Sequence, residues 1–240
     1  MDQTSLVAYI QKIGENDPPP AVVNTVLEGR IFVCLERLAE GLVCKKCYAI
    51  LSLLDAVDSD CEDLHTIYEV QCQNCQTTSI VDCEMNKVYA EEVDVRRNVL
   101  HDEHFGQRTG VKGRRILDVV YFANQLVCGQ CNAILSLLDI IQEEAHGFAS
   151  IFAISCRVCK TVCNVYTDKQ HLVGNGPEKH FDMNTITVGS CILNGKTKAD
   201  MDLFFSRAQI PIMDSEMFAA HEKEIRDIEM RLGYGNTQPE

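Results

Sequence analysis

Two sets of paired cysteines constrain this chain more than any other feature. Cys44-Lys-Lys-Cys47 is followed after 24 residues by Cys72-Gln-Asn-Cys75, and Cys128-Gly-Gln-Cys131 is followed after the same interval by Cys156-Arg-Val-Cys159. Each cysteine of the second set lies 84 positions beyond its counterpart. The register extends past the cysteines. Gly29-Arg30 matches Gly113-Arg114, Leu42-Val43 matches Leu126-Val127, and Ala49-Ile-Leu-Ser-Leu-Leu-Asp55 recurs unchanged from Ala133 to Asp139. The chain reads as a duplicated unit of about 60 residues recurring at an offset of 84, an internal repeat.

A CxxC pair sets two thiols on one tight knuckle, and two knuckles make a tetrahedral four-sulfur site suited to structural zinc. The segments Thr66 to Gln71 and Ser150 to Ser155 are rich in β-branched and aromatic residues, as are Thr77 to Asp82 and Thr161 to Thr167. Such stretches favour strands. Each unit is therefore expected to be a zinc ribbon, with Cys44, Cys47, Cys72 and Cys75 holding one Zn2+ and Cys128, Cys131, Cys156 and Cys159 the other, two per chain. A unit this small buries too little apolar surface to fold alone, and zinc binding of about 10–16 kcal/mol would make up the deficit. Two disulfides per unit are the alternative, but nothing in the sequence supports an oxidising compartment. A thioredoxin-like redox role fits less well, because such motifs do not come as paired sets.

The other five cysteines, Cys34, Cys61, Cys83, Cys163 and Cys191, do not recur between the copies. They read as buried or half-buried thiols rather than ligands. An odd cysteine count, no signal peptide and no apolar run long enough to span a bilayer fit a reducing, soluble interior with no membrane partner. The formal net charge is −13, and each four-thiolate zinc site adds about −2. Non-specific affinity for DNA comes from neutralising phosphates, so any such contact needs a local basic patch. Lys112-Gly-Arg114-Arg115 is the densest basic cluster; it reads by default as a solvated loop, with phosphate contact or a weak nuclear signal as the sharper alternative.

The expected organisation is an N-terminal helical segment over 1–28, ribbon one over 29–90, and a charged connector over 91–112. Ribbon two over 113–170, a linker over 171–181, and a C-terminal helical unit and tail over 182–240 complete it. A short helix over 4–13 ends at Pro18-Pro-Pro20, and 21–41 carries apolar residues at loosely helical spacing. His101 and His104, three apart in the connector, have no further ligands nearby and read as solvated. Asp182 to Gly195 is ambiguous between strand and helix. Thr197 with Asp200 is a capping signature, and Met201, Phe204, Phe205 and Ala208 place an amphipathic helix over 198–208. A last helix runs over 214–232, with Phe218, His221, Ile225, Ile228 and Leu232 in one stripe. That stripe suits packing within a small helical unit, or a partner helix or self-association. His221-Glu222 lacks the second histidine of a zinc-protease helix.

Gly113-Arg-Arg-Ile-Leu-Asp-Val119, then Gln125-Leu-Val-Cys128-Gly-Gln-Cys131 and the second CxxC, resembles the opening of the Mutator-like transposase domain of eukaryotic mobile elements. Phe181-Asp-Met-Asn184 resembles the motif that leads into that family's helical segment. The run from Thr185 through Lys196 and Phe204 to Gln209-Ile-Pro211-Ile-Met213, then Phe218 and Glu222-Lys-Glu-Ile225, resembles the segment itself. The likeness covers about 113–232, and the first ribbon looks like a copy of its ribbon portion. The resemblance implies DNA binding and a nuclear setting. It also implies continuation into an RNase H-like core whose acidic residues hold catalytic metals. This sequence stops soon after the helical segment, so no catalytic residue carries over.

The expected fold is α+β: two tandem zinc ribbons with flanking helices and a C-terminal helical unit. The expected function is that of a non-catalytic, transposase-derived nuclear zinc protein acting through DNA, chromatin or protein contacts. A protein–protein adaptor without DNA contact and a fragment of a transposase are the alternatives. Saturated four-cysteine sites leave no open position for a substrate, so no enzyme is expected within these residues.

Overall fold

The computed structural model describes residues 24, 26–62, 65–83 and 113–231. The expected helix over 4–13, the connector with His101 and His104, Lys112 and Leu232 lie outside the described residues. The protein is mixed α and β, with small antiparallel sheets and, among the described residues, five α-helices. It divides into two compact units.

The larger unit holds both ribbons; among the described residues it takes in 24, 26–62, 65–83, 113–144 and 150–167. In the first ribbon, β1 (Arg30–Cys34) leads into helix α1 (Leu35–Gly41), the first cysteine knuckle and a short 3-10 turn (Leu53–Asp55). A three-stranded sheet follows, with β2 (Ala56–Glu62), β3 (His65–Gln71) and β4 (Thr78–Asp82) in sequential order. In the second ribbon, β5 (Arg114–Asp118), α2 (Val119–Gln125) and the turn Leu137–Asp139 precede β6 (Ile140–His146), β7 (Ala149–Ser155) and β8 (Val162–Tyr166). Every boundary in the second ribbon lies 84 residues beyond its counterpart. Residues 30–34 form a strand, where the apolar spacing across 21–41 suggested a helix. Ile31, Phe32 and Val33 suit a strand, and they find a partner elsewhere in the unit.

That partner is the other ribbon. β1 pairs antiparallel with β5, with Phe32 opposite Ile116, its own counterpart at the 84-residue offset. The pairing therefore has a local pseudo-twofold centred on Phe32 and Ile116. Hydrogen bonds around it come in matched pairs. Leu35 donates its amide to the Gly113 carbonyl, and Val119 donates to that of Gly29, both at 3.2 Å. The Cys34 amide reaches the Cys83 carbonyl at 2.7 Å, and the Asp118 amide reaches that of Thr167 at 2.9 Å. The strands alternate burial as a half-buried sheet requires: Phe152 and Ile154 on β7, like Tyr68 and Val70 on β3, point inward. Side chains from both ribbons form one apolar cluster, with Leu38, Leu53, Tyr68 and Val81 joined by Leu117, Phe122, Leu137, Phe152 and Val165. Phe122 and Phe152 meet edge to face at 6.4 Å, an arrangement favoured by the aromatic quadrupole.

The smaller unit comprises, among the described residues, 145–149 and 168–231. Residues 171–181, expected to be a linker, contain a hairpin of β9 (Gln170–Leu172) and β10 (Lys179–Phe181). The helices are α3 (Asp182–Leu193), α4 (Lys198–Arg207) and α5 (Ser215–Arg231). The ambiguous stretch after Asp182 is thus helical. Its β-branched residues are overruled by hydrogen bonds at its start, where the Asp168 carboxylate accepts from the Met183 amide at 2.6 Å. The expected box caps α4, with the Thr197 hydroxyl accepting from the Asp200 amide and the Asp200 carboxylate from the Thr197 amide. α5 packs on α3, with His221, Glu224 and Ile225 buried.

Candidate metal centres

The four knuckles share one backbone design. The residue after each second cysteine, Tyr48, Gln76, Asn132 or Lys160, has φ between 56° and 63°. That left-handed turn lets its amide reach the carbonyl of the first cysteine, from Tyr48 to Cys44 at 2.9 Å through Lys160 to Cys156 at 3.0 Å. The first cysteine's own amide is held by the residue five positions on, as from Cys44 to Ala49 and from Cys128 to Ala133. Both sulfurs of a knuckle are thereby aimed to the same side.

The paired knuckles then face each other. Cys44 Sγ lies 3.5 Å from Cys75 Sγ, and Cys47 Sγ 3.5 Å from Cys72 Sγ. The second ribbon repeats this, with Cys128 to Cys159 and Cys131 to Cys156 both at 3.5 Å. All four sulfurs of each set fall within 4.8 Å of one another. A tetrahedron with zinc–sulfur bonds of 2.3 Å has edges of about 3.8 Å, so both sets fit the ion. Both four-cysteine groups are positioned to bind zinc, giving two sites. Zinc, when bound, takes the sulfurs as thiolates and cross-links knuckles distant in sequence.

The surroundings favour thiolate at chosen sulfurs. Amides of Cys131 and Gln130 pull Cys128 down to about 6. The hydroxyl and amide of Thr77 bring Cys75 to about 6, and Thr161 lowers Cys159 in the same way. In the same cage Cys131 is pushed up to about 12. The Ala133 amide lowers it, but burial and hydrogen bonds to Cys159, Cys156 and Cys128 outweigh that pull. Of the remaining cysteines, Cys34 and Cys83 are buried, Cys61 is exposed, and Cys163 and Cys191 are half-buried. Cys163 sits beside one cage, donating to Cys128 Sγ at 3.8 Å. Burial is the main cause that raises the Cys34 thiol to about 11.

A model of the Mutator-like transposase family matches residues 113–232. The chain belongs to that family. The Mutator-like region thus begins at β5, takes in the whole second ribbon and runs through α5. Nothing matches it among curated proteins or among solved structures. Asn184, within the matched residues, has a clear physical role. The Asn184 side chain accepts from the Phe148 amide at 2.9 Å and donates to the His146 carbonyl at 2.8 Å, fixing the loop between β6 and β7. Gly147 in that loop has φ +64°, and a Cβ there would lie 2.9 Å from Asn184 Oδ1, so glycine is required twice over.

The basic residues singled out in the sequence fare unequally. Arg115 is buried, and its guanidinium makes a two-pronged pair with Glu143, Nε to Oε1 and Nη2 to Oε2 both at 2.6 Å. Its side chain is used inside the fold. Arg114 is half-buried beside it. Lys45 and Lys46 stand exposed on the first knuckle, next to Tyr48.

One polar cluster in the smaller unit had no counterpart in the sequence reading. His171 and His180 are directly opposed on β9 and β10. Glu224 of α5 lies between them, its Oε1 at 2.8 Å from His171 Nε2 and its Oε2 at 2.7 Å from His180 Nδ1. Burial opposes charge on Glu224, yet hydrogen bonds from His171, His180 and His221 hold it far below the usual carboxylate range. Burial also works against the His171 cation, but hydrogen bonds to Asp182 and Glu224 raise it to about 9. The turn signals Gly174, Gly176 and Pro177 between the two histidines were the clue: read as a hairpin, they set His171 against His180.

Proposed function

We propose that this chain is a non-catalytic, transposase-derived zinc protein that works in the nucleus by contact with DNA or chromatin. The observation that carries the reading is the family match over 113–232, which falls on the ribbon and helical segment. The local chemistry supports a binding role. Both cages are filled by four protein sulfurs each, leaving no open position for a substrate. The first knuckle offers Lys45 and Lys46 beside Tyr48, whose side chain is 61 % exposed. Lysines beside an exposed aromatic suit a nucleic-acid backbone and its bases. With a net charge of −13, contact is confined to such patches.

A mobility-shift assay of the full chain on random duplex DNA tests this. Binding at ~50 mM salt that falls steeply by ~200 mM, and is weakened by Lys45→Glu with Lys46→Glu, is expected. No shift at the lower salt overturns the DNA contact. A second reading is favoured by one observation: Leu203 and Phe204 on α4 are 54 % and 60 % exposed. Adjacent exposed apolar side chains suit a protein partner, so this adaptor reading takes over if DNA is not bound.

A further inference from the structure

We propose that His171, His180 and Glu224 form a third metal site, of the two-imidazole, one-carboxylate kind, that takes a zinc-class divalent cation. The three residues come from β9, β10 and α5, and one ligand atom from each lies within 4.8 Å of the others. Imidazole with carboxylate is a donor set that zinc uses readily. Glu224 is 4 % exposed, and the two histidine side chains are 14 % and 10 % exposed. The cluster is enclosed but reachable from solvent.

The second shell is the stronger argument. Metal-bound histidines almost always give their other ring nitrogen to a carboxylate, carbonyl or water, which fixes tautomer and orientation. His171 does so by a hydrogen bond, and His180 has a carboxylate within ion-pair range. His171 Nδ1 lies 2.7 Å from Asp182 Oδ1, and Asp182 is itself buried at the start of α3. His180 Nε2 faces Glu178 Oε1 at 3.5 Å. Each ring thereby turns its remaining nitrogen toward Glu224. His221 stands at the edge of the group, its Nδ1 2.8 Å from the Thr185 hydroxyl and 3.8 Å from Glu224 Oε2.

As a network of hydrogen bonds alone, the cluster needs His171 to donate from both nitrogens, to Asp182 and to Glu224. It would then hold an enclosed imidazolium wedged between two carboxylates. A divalent cation between Nε2 and Glu224 takes the place of that proton and leaves the Asp182 bond intact. Ligand atoms around an ion with bonds of 2.0–2.1 Å stand about 3.3 Å apart. The present contacts of 2.7 and 2.8 Å open to that spacing with side-chain rotation of roughly half an ångström. The ion would tie the β9–β10 hairpin to α5, as the thiolate cages tie knuckle to knuckle.

The test is metal stoichiometry on the full, reduced chain equilibrated with low micromolar free zinc. Wild type is expected to hold three zinc ions, and Glu224→Gln and His180→Gln two each, with the ribbons keeping theirs. Asp182→Asn should retain the site but weaken it about 10–100-fold. Titration with Co2+ provides a readout that needs no variant. The third equivalent should add d–d bands without thiolate charge transfer, whereas the cages give both. Two zinc ions in wild type, a Co2+ titration with no thiolate-free component, or three ions retained in both variants overturns the proposal. Loss of DNA binding in the mobility-shift assay leaves it untouched, because no residue of this site enters that reading.

Discussion

The Cys44 ribbon and the Cys128 ribbon share their strand boundaries, knuckle geometry and backbone ladder, yet matched positions carry different chemistry. Where the second ribbon joins buried Arg115 and Ser150 to half-buried Glu143 in one polar network, the first has Ile31, Ser59 and Thr66. Where Asp118 caps α2 by accepting from the Tyr121 amide, Cys34 precedes α1 without a side-chain cap. Where Arg157 pairs with Asp139, Gln73 makes a neutral hydrogen bond to Asp55. What the copies keep in common is sulfur, backbone hydrogen bonds and apolar burial. Those features set the architecture, and the electrostatics around them vary. The family match falls on the second copy and the helical segment after it, and not on the first copy.

The most severe test of this equivalence is removal of one ligand. Cys44→Ser and Cys128→Ser should be equally damaging, each abolishing structure in both ribbons. Metal binding worth about 10–16 kcal/mol rivals the whole stability of a domain, about 5–15 kcal/mol, and the ribbons share one apolar cluster. Zinc content with amide exchange checks this. A Cys44→Ser chain whose second ribbon keeps its metal and full protection would show that the copies fold separately.

Arg115→Ala should cost about 3–5 kcal/mol in chemical denaturation, because it strands the Glu143 charge in a largely buried site. Installing the first ribbon's solution, Arg115→Ile with Glu143→Ser, should recover most of that loss. If the double variant is as unstable as the single one, the two polar arrangements are not interchangeable. Asp118→Ala should cost about 1 kcal/mol through the lost cap. Smallest of all, Arg157→Gln converts an exposed ion pair to the neutral form of the first ribbon and should change stability by under about 1 kcal/mol. Tyr48→Asn, which copies Asn132 at a left-handed position, should gain up to about 1 kcal/mol.

The sequence made the cages, the strands after each knuckle and the Thr197 cap legible because each depends on residues close in the chain. CxxC spacing, β-branched runs and a capping box are local signals. The pairing of β1 with β5 was not legible. It joins residues 80 to 88 apart, and no local pattern in either strand names so distant a partner. The His171, His180 and Glu224 cluster was hidden for the same reason. Glu224 lies 53 positions from His171 along the chain, and only the docking of α5 brings it between the two strands. Arg115 was misjudged because a basic run in sequence carries no record of Glu143 waiting across the fold.

The ladder between β1 and β5 makes the two ribbons halves of a built-in dimer. A polypeptide carrying one copy would present Ile116 and Leu117 on an orphan edge, and would be driven to recruit a twin or to aggregate. Cutting this protein anywhere between residues 83 and 113 should accordingly yield two fragments that co-elute as a heterodimer. Tandem fusion raises the effective concentration of that encounter without adding a contact.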